Sequence, residues 1–296
     1  MPDPPPPAHV DEEVGDATSA ARDSLRRFLR RRSAVAGAII LLIMLVISLF
    51  GPAIAPYSPS APDYSLVLAP PSLAHLFGTD EFGRDILSRM LWGAHLTLAV
   101  GFIGAAASAA IGIPVGLIVS YYGGWVDDIV MRVVDVILAF PGLLLAIGVI
   151  AILGPGLQNV VITIVVFGVP VFTRIVRGTA LTIRHMDYIQ SAEAMGASNT
   201  RILFLHMLRN AVGPILVQLT LQMAGAILTA SSLGFLGFGA QPPTPEWGAM
   251  LAEGRQFLTT APWVDMFPGV AIFLAVLGFN MLGDGLNDAL DPRLRT

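Results

Sequence analysis

Few side chains in this sequence could carry out enzymatic chemistry. All 17 basic residues are arginines, whereas a phosphate-binding P-loop needs a lysine to reach the β- and γ-phosphates. There is no cysteine, which excludes thiolate nucleophiles, cysteine-ligated zinc and iron–sulfur clusters. The 5 histidines show no metal-binding spacing, and there is no G-x-S-x-G nucleophile motif. The sequence therefore predicts no catalytic, cofactor or metal site on this chain.

The segment 186–208 carries the most informative pattern of residue types. Good helix formers precede Gly196, which is a typical helix stop, and Ser198 or Asn199 can cap a second helix. We expect two short helices joined by a glycine turn, with Gly196 at a positive φ or against another backbone. Small residues around the turn would let another protein approach closely. An amphipathic connection lying on lipid headgroups is the alternative.

The rest of the chain has the composition of an integral membrane protein. Of its 296 residues, 54% are hydrophobic and 13% are charged, whereas roughly 25% are charged in soluble domains. A soluble fold could not bury that much apolar surface. The net charge of −4 and the lack of a basic stripe give no indication of nucleic-acid binding.

Uncharged stretches predict six membrane-spanning helices, since each span needs about 20 apolar residues. A Gly-Pro-Gly turn at 154–156 separates the third span from the fourth. The predicted helices cover about 34–54, 95–120, 127–153, 157–180, 211–236 and 265–285. They leave long external loops at 56–94 and 237–264 and one long cytoplasmic segment at 181–209.

The distribution of arginines predicts that both termini are cytoplasmic. With an internal N-terminus, fourteen of the 17 arginines lie at the cytoplasmic side, and only Arg84, Arg89 and Arg255 lie outside. We expect residues 1–32 to be a cytoplasmic tail with a basic anchor, and residues 33–296 to be the transmembrane domain. An uncleaved first span is favoured over a signal peptide, because its apolar run is longer than a signal peptide's hydrophobic region.

Three further residues are candidates for a functional role. Asp135 lies about 12 Å along a helix that starts at residue 127, and an acid inside a membrane is a functional candidate by default. An ion pair with Arg132, one helical turn away, is the alternative. Glu246 and Trp247 lie in a proline-rich external loop, where they could contact an external partner or shield a gate. Interfacial anchoring of the tryptophan is the alternative.

The cytoplasmic segment resembles the E-A-A loop of binding-protein-dependent ABC importer permeases. That loop reads E-A-A, three residues, glycine and, about twelve residues later, leucine-proline. The triplet here is Gln190-Ser191-Ala192, the glycine is Gly196, and Arg209 stands in place of the proline.

Three other stretches resemble the dipeptide and oligopeptide permeases of this family. They are 77–89 (FGTDEFGRDILSR), 241–248 (QPPTPEWG) and 283–293 (GDGLNDALDPR). Over about residues 30–296 the chain is most similar to the C-type permease subunit. The resemblance implies an all-α integral membrane protein with the type I ABC importer permease fold. That fold has six transmembrane helices and a cytoplasmic coupling helix, here near 187–205.

The resemblance also implies partners in the bacterial cytoplasmic membrane. A B-type permease would complete a heterodimer, and an extracytoplasmic binding protein would deliver di- or oligopeptides. Two ABC ATPase subunits would hold ATP and Mg²⁺, and their closure would move the coupling helix and switch the pore. The implied ATPase-coupling residues are Gln190, Ser191, Ala192, Glu193, Gly196, Ala197 and Arg201. Gln190 cannot form the ion pair that a glutamate could.

Several alternatives remain open. Similar permeases carry nickel chelates, glutathione or sugars, because the binding protein largely selects the substrate. An ion-coupled secondary transporter is the alternative class, but it would use several intramembrane acids and broken helices, and only Asp135 qualifies here. An integral membrane enzyme is a third reading, which the scarcity of reactive side chains disfavours.

Overall fold

The computed structural model describes residues 26–290, so residues 1–25 of the predicted tail and residues 291–296 lie outside it. The described chain is a helical bundle, with short 3₁₀ turns at Tyr64–Leu66 and Arg255–Phe257. Its helices are α1 (Arg32–Ile54), α2 (Ile86–Tyr122), α3 (Gly124–Ala139), α4 (Gly142–Leu153), α5 (Leu157–Arg184), α6 (Asp187–Ala194), α7 (Asn199–Phe235), α8 (Trp247–Gly254) and α9 (Trp263–Leu290). The division of the chain at residue 32 stays a prediction.

Six spans result if the bent pair α3–α4 counts as one. Helices α1, α2, α5, α7 and α9 are long and apolar enough to cross a membrane, and α3 and α4 together form a broken span bent by 97°. The prediction of one continuous helix over 127–153 is therefore wrong. Pro141 has no N–H to donate and forces the preceding residue out of the helical region. Phe140 accordingly has an extended backbone, with ψ of 141°.

Predicted and observed helices differ most in the residues at which they begin. Helix α2 begins at Ile86 rather than near 95, because the Asp85 carboxylate accepts the Ser88 N–H at 2.8 Å and caps the first turn. The short helix predicted after Ser198 and the span predicted from about 211 form one continuous helix, α7, which includes a π-helical segment at Ile202–Met207. The first external loop is consequently shorter than 56–94, and the second contains α8.

Polar contacts show which helix ends share one side of the bundle. Arg31, just before α1, forms an ion pair with Asp288 near the end of α9. Arg184, at the end of α5, donates to the Ser120 carbonyl near the end of α2 at 3.1 Å. The start of α1 therefore lies beside the end of α9, and the end of α5, which leads into segment 185–199, lies beside the end of α2. That this side faces the cytoplasm stays a prediction from the arginine bias.

Helices α2 and α5 pack closely along a stripe of small residues that sequence analysis missed, although its period of four is visible in the sequence. The stripe on α2 consists of Gly104, Ser108, Gly112 and Gly116. A Cβ added at Gly112 would lie 2.6 Å from the Phe172 Cβ and 2.8 Å from the Val169 carbonyl oxygen of α5. Such small residues let backbones approach where lipid supplies no hydrophobic driving force between helices.

We expect Gly112→Ala to destabilise the protein by about 1–3 kcal/mol, because the added methyl overlaps α5. Gly148→Ala on α4 is the matched control, since an added Cβ there meets nothing within 4 Å. Thermal unfolding of the two variants in detergent measures the difference. Equal melting temperatures would contradict the close packing of α2 against α5.

Single cysteines at Ser72 and Ser198 should label from opposite sides of the membrane. Both positions are exposed, Ser72 in the first external loop and Ser198 before α7, and the native chain has no cysteine to give background. An impermeant thiol reagent applied to intact cells should reach only the Ser72 variant. Labelling of both from one side would refute the six-span topology.

Candidate functional site

The predicted coupling segment folds as two helices joined by a glycine turn. Gly196 has a φ of +78°, which confirms the predicted positive value. An added Cβ at Gly196 meets nothing within 4 Å of this chain, so the backbone conformation rather than crowding requires glycine here. Ser198 caps α7 by accepting the Arg201 N–H, as its position predicts.

Apolar residues fasten this segment to the base of the bundle. Ile189 of α6 and Ile202 and Met207 of α7 are fully buried. They form one cluster with Leu117 of α2 and Val176 of α5. The segment therefore packs directly against α2 and α5, in an interior that resists compression.

The structure separates the seven predicted coupling residues into two groups. Ala192 is only 6% exposed, and Ala197 is partly buried against the same apolar cluster. The prediction that Ala192 contacts a partner is corrected, because its side chain faces the bundle. Met195, which was not among the predicted residues, is 82% exposed. The feature of the sequence that could have identified it is a large apolar residue directly before the glycine stop. The exposed members of the predicted set are Gln190, Ser191, Glu193, Gly196 and Arg201.

The external motif at 77–89 forms a buried ion-pair network at the opposite end of the bundle. The Arg84 Nε lies 2.6 Å from the Asp80 Oδ2, and the Arg89 Nη2 lies 2.7 Å from the Glu253 Oε2. The Arg84 Nη2 reaches the same Glu253 oxygen at 3.0 Å. Side-chain exposure is 5% for Arg84 and 1% for Arg89. The network therefore ties the start of α2 to the end of α8.

Three carboxylates of this network, Asp80, Glu81 and Glu253, lie close enough together to hold a metal ion. Two of them already receive the guanidinium groups of Arg84 and Arg89. Burial raises the pKa of the Glu81 carboxyl, as do the neighbouring charges of Asp80 and Glu253. The cluster is therefore best described as an arginine-balanced structural network.

Glu246 is a buried helix cap rather than a surface residue. Its side chain is 1% exposed, and its carboxylate accepts the N–H groups of Gly248 and Ala249, each at 2.9 Å. The Thr97 hydroxyl of α2 donates to it at 3.2 Å. Burial raises the pKa of this carboxyl, whereas the three hydrogen bonds lower it. The prediction that Glu246 contacts an external partner is corrected, because it fixes α8 against α2 instead.

Trp247 is likewise enclosed by protein. It is 3% exposed, its Nε1 donates to the Met90 carbonyl at 3.1 Å, and its ring lies against Gly93. The ring therefore neither contacts an external partner nor anchors the chain at the membrane interface. Both of these predictions for Trp247 are corrected. The residue sequence did not reveal that α8 folds back against the start of α2, which is what buries the ring.

Asp135 pairs with Arg174 of α5 rather than with Arg132 of its own helix, which is exposed. The interpretation as an ion pair with Arg132 is therefore wrong. Helix α3 runs beside α5 and directs Asp135 toward that neighbour. Three residues further along α5, the Arg177 guanidinium donates two hydrogen bonds of 2.5 Å to the Asp127 carboxylate.

Replacing Glu253 should test the external network. Glu253→Gln removes the nearer charge partner of the buried Arg89 and leaves it only Asp80, at 3.4 Å. Removing one partner from a buried ion pair costs about 3–5 kcal/mol. Asp63→Asn, in the same loop, is the matched control because it removes the same charge from an exposed side chain. We expect a clear fall in melting temperature for the first variant only. If Glu253→Gln melted like the control, the network would not hold α8.

A bundle of membrane-spanning helices with a short helical segment packed at one end fits a transporter subunit, and comparisons with known proteins agree. Residues 112–296 match the family described as binding-protein-dependent transport system inner membrane component. Residues 19–71 match the N-terminal transmembrane domain of oligopeptide transport permease C. The chain belongs to this family of inner membrane components. It is a multi-pass permease subunit of an ABC importer, which confirms the predicted resemblance.

Two curated relatives cover nearly the whole chain. The dipeptide transport system permease protein DppC of Alkalihalophilus pseudofirmus is 46% identical over 295 residues, which is 100% of this chain and 96% of the relative. The glutathione transport system permease protein GsiD of Pectobacterium atrosepticum is 48% identical over 276 residues, 93% of this chain and 92% of the relative.

A solved structure shares the fold. The MetNI methionine ABC transporter in an inward-facing conformation aligns with a TM-score of 0.55 and 22% identity. The alignment covers 69% of this chain and 96% of the chain in that structure. This likeness supports the type I importer permease fold that the sequence predicts.

Proposed function

We propose that this chain is the C-type half of a heterodimeric peptide importer, with a B-type permease as the other half. The match of residues 19–71 to an oligopeptide permease C domain supports the C-type assignment. The names of the two relatives support a small peptide as substrate, since glutathione is itself a tripeptide. An extracytoplasmic binding protein would deliver this peptide.

ATP hydrolysis on two partner ATPase subunits, which would hold ATP and Mg²⁺, fits the residue content of the chain. The 17 basic residues include no lysine, so a P-loop has to be supplied by another polypeptide. A membrane subunit of this kind is therefore a non-catalytic component of the translocase. Both of its termini would lie in the cytoplasm, on the side that carries the coupling segment.

The main support for this proposal is the exposed turn around Gly196, which packs on buried apolar residues. Met195 and Glu193 project from the turn, whereas Ile189 and Ile202 beneath it are buried. A surface of this shape can seat in a cleft of an ATPase subunit. Closure of the ATPases would then displace the turn, and the apolar base would pass the movement to α2 and α5.

Gly196→Trp should leave the subunit in the membrane but abolish coupled transport. The bulky side chain is strained at φ of +78°, and it would block the ATPase cleft. Gly124→Trp is the matched control, because Gly124 also has a positive φ, +56°, and open space around it but lies outside the coupling segment. We expect lost uptake or lost ATPase co-purification for Gly196→Trp and near-normal values for the control. Normal uptake and complex recovery for Gly196→Trp would remove the coupling assignment.

Uptake measurements with the cognate binding protein should separate the candidate substrates. Reconstituted complex should accumulate a labelled dipeptide only when ATP is present, and unlabelled tripeptides should compete. If glutathione competed and other tripeptides did not, the substrate would be glutathione rather than small peptides in general. ATP-independent uptake driven by a proton or sodium gradient would overturn the ABC importer reading.

A further inference from the structure

A turn in the first external loop, residues 72–78, presents two leucines at its surface. Leu73 is 98% exposed and Leu76 is 56% exposed. The Ser72 N–H donates to the His75 carbonyl at 2.8 Å, and the His75 N–H donates to the Ser72 Oγ at 3.1 Å. A closed, hydrogen-bonded backbone therefore holds both leucine side chains outward.

The turn lies level with the ends of two membrane-spanning helices. Tyr57, three residues after the end of α1, donates its hydroxyl to the Ala74 carbonyl at 3.0 Å. The Phe77 ring stacks on the ring of Phe267 in the second turn of α9, with the ring centroids 3.9 Å apart. The end of α1 and the start of α9 lie at the same end of the bundle. These contacts therefore place the turn where both helices leave the membrane.

Apolar surface continues from these two helices onto the turn. Large apolar side chains are exposed on the last turns of α1, at Phe50 and Ile54, and on the first turns of α9, at Met266 and Val270. Residues 64–79 contain no acidic residue and no arginine, so no full-time charge interrupts this surface on the turn. A continuous exposed apolar patch marks an interaction site, and beside the ends of membrane-spanning helices the lipid interface is the apolar surface at hand.

Protein atoms satisfy several polar groups of the turn. Pro70 and Pro71, which lead into it, have no N–H to satisfy. The His75 carbonyl accepts a second hydrogen bond, from the Gly78 N–H at 2.9 Å. The His75 Nδ1 lies 2.9 Å from the Asp85 Oδ1. A backbone whose donors and acceptors are paired in this way can approach lipid at little cost.

We propose that turn 72–78 is a membrane-surface anchor, in which Leu73 and Leu76 insert into the headgroup region of the outer leaflet. Interfacial elements bury their apolar face about 5–10 Å into the boundary between headgroups and acyl chains. The partner of this surface is thus a phospholipid bilayer rather than another protein. Because His75 contacts Asp85, which caps α2, the anchor also fixes the start of α2 relative to the membrane surface.

Spin labels on the complete transporter in phospholipid vesicles test this contact. The native chain has no cysteine, so Leu73→Cys and Leu76→Cys can each carry a single label. Tyr64→Cys is the matched control, because Tyr64 is 73% exposed in the same loop and follows the exposed, charged Asp63. Oxygen concentrates in lipid, whereas a water-soluble nickel chelate is excluded from it. We expect the ratio of oxygen to nickel accessibility to be about fivefold higher at the two leucine positions than at the control.

The alternative occupants of this surface give different results. Equal ratios at all three positions would mean that the turn lies in water, and would overturn the proposal. Low accessibility to both oxygen and nickel at Leu73→Cys and Leu76→Cys would place them against the partner permease. A loss of both accessibilities only after the binding protein is added would place them against that protein. Either result would also overturn the lipid contact. Since both leucines point outward, complex recovery and uptake should equal those of the native chain.

Discussion

Charge compensation in a low-dielectric surrounding is the constraint on which this structure depends. A guanidinium group placed inside the bundle without a partner would be too costly to keep. Arg84 and Arg89 at one end meet Asp80 and Glu253, and Arg177, seven residues before the end of α5, meets Asp127. Each of these pairs joins segments that are distant in sequence or turns the start of a helix. The pairs therefore fix where charge resides and add links between segments that packing makes neighbours.

Helix α2 connects the two ends of the subunit mechanically. Its first turn belongs to the buried external network through Arg89, and its last turns reach the apolar base of the coupling segment through Leu117. Between these ends, Gly112 and its small neighbours hold α2 against α5 with little free space. The same helix also holds α8, because its Thr97 donates to the Glu246 carboxylate that caps α8.

Two residues of the second predicted external loop contribute order rather than exposed recognition groups. Glu246 and Trp247 are both enclosed, and their hydrogen bonds fix α8 on α2. This placement leaves recognition of an external partner to other parts of the surface. It also means that substitutions of these two residues would act through the position of α8, a role different from direct contact.

The sequence by itself determined the membrane class, the number of spans, the glycine stop at Gly196 and the family. These follow from hydropathy, capping and short motifs, which are properties of neighbouring residues. Only the tertiary structure decided that Asp135 pairs with Arg174 of α5 rather than with Arg132, and that Ala192 and Trp247 face inward. Those outcomes depend on how helices cross, and periodicity within one helix leaves the crossing undetermined. A charged side chain pairs with whichever partner packing brings within reach, and for Asp135 that partner lies 39 residues away in the chain.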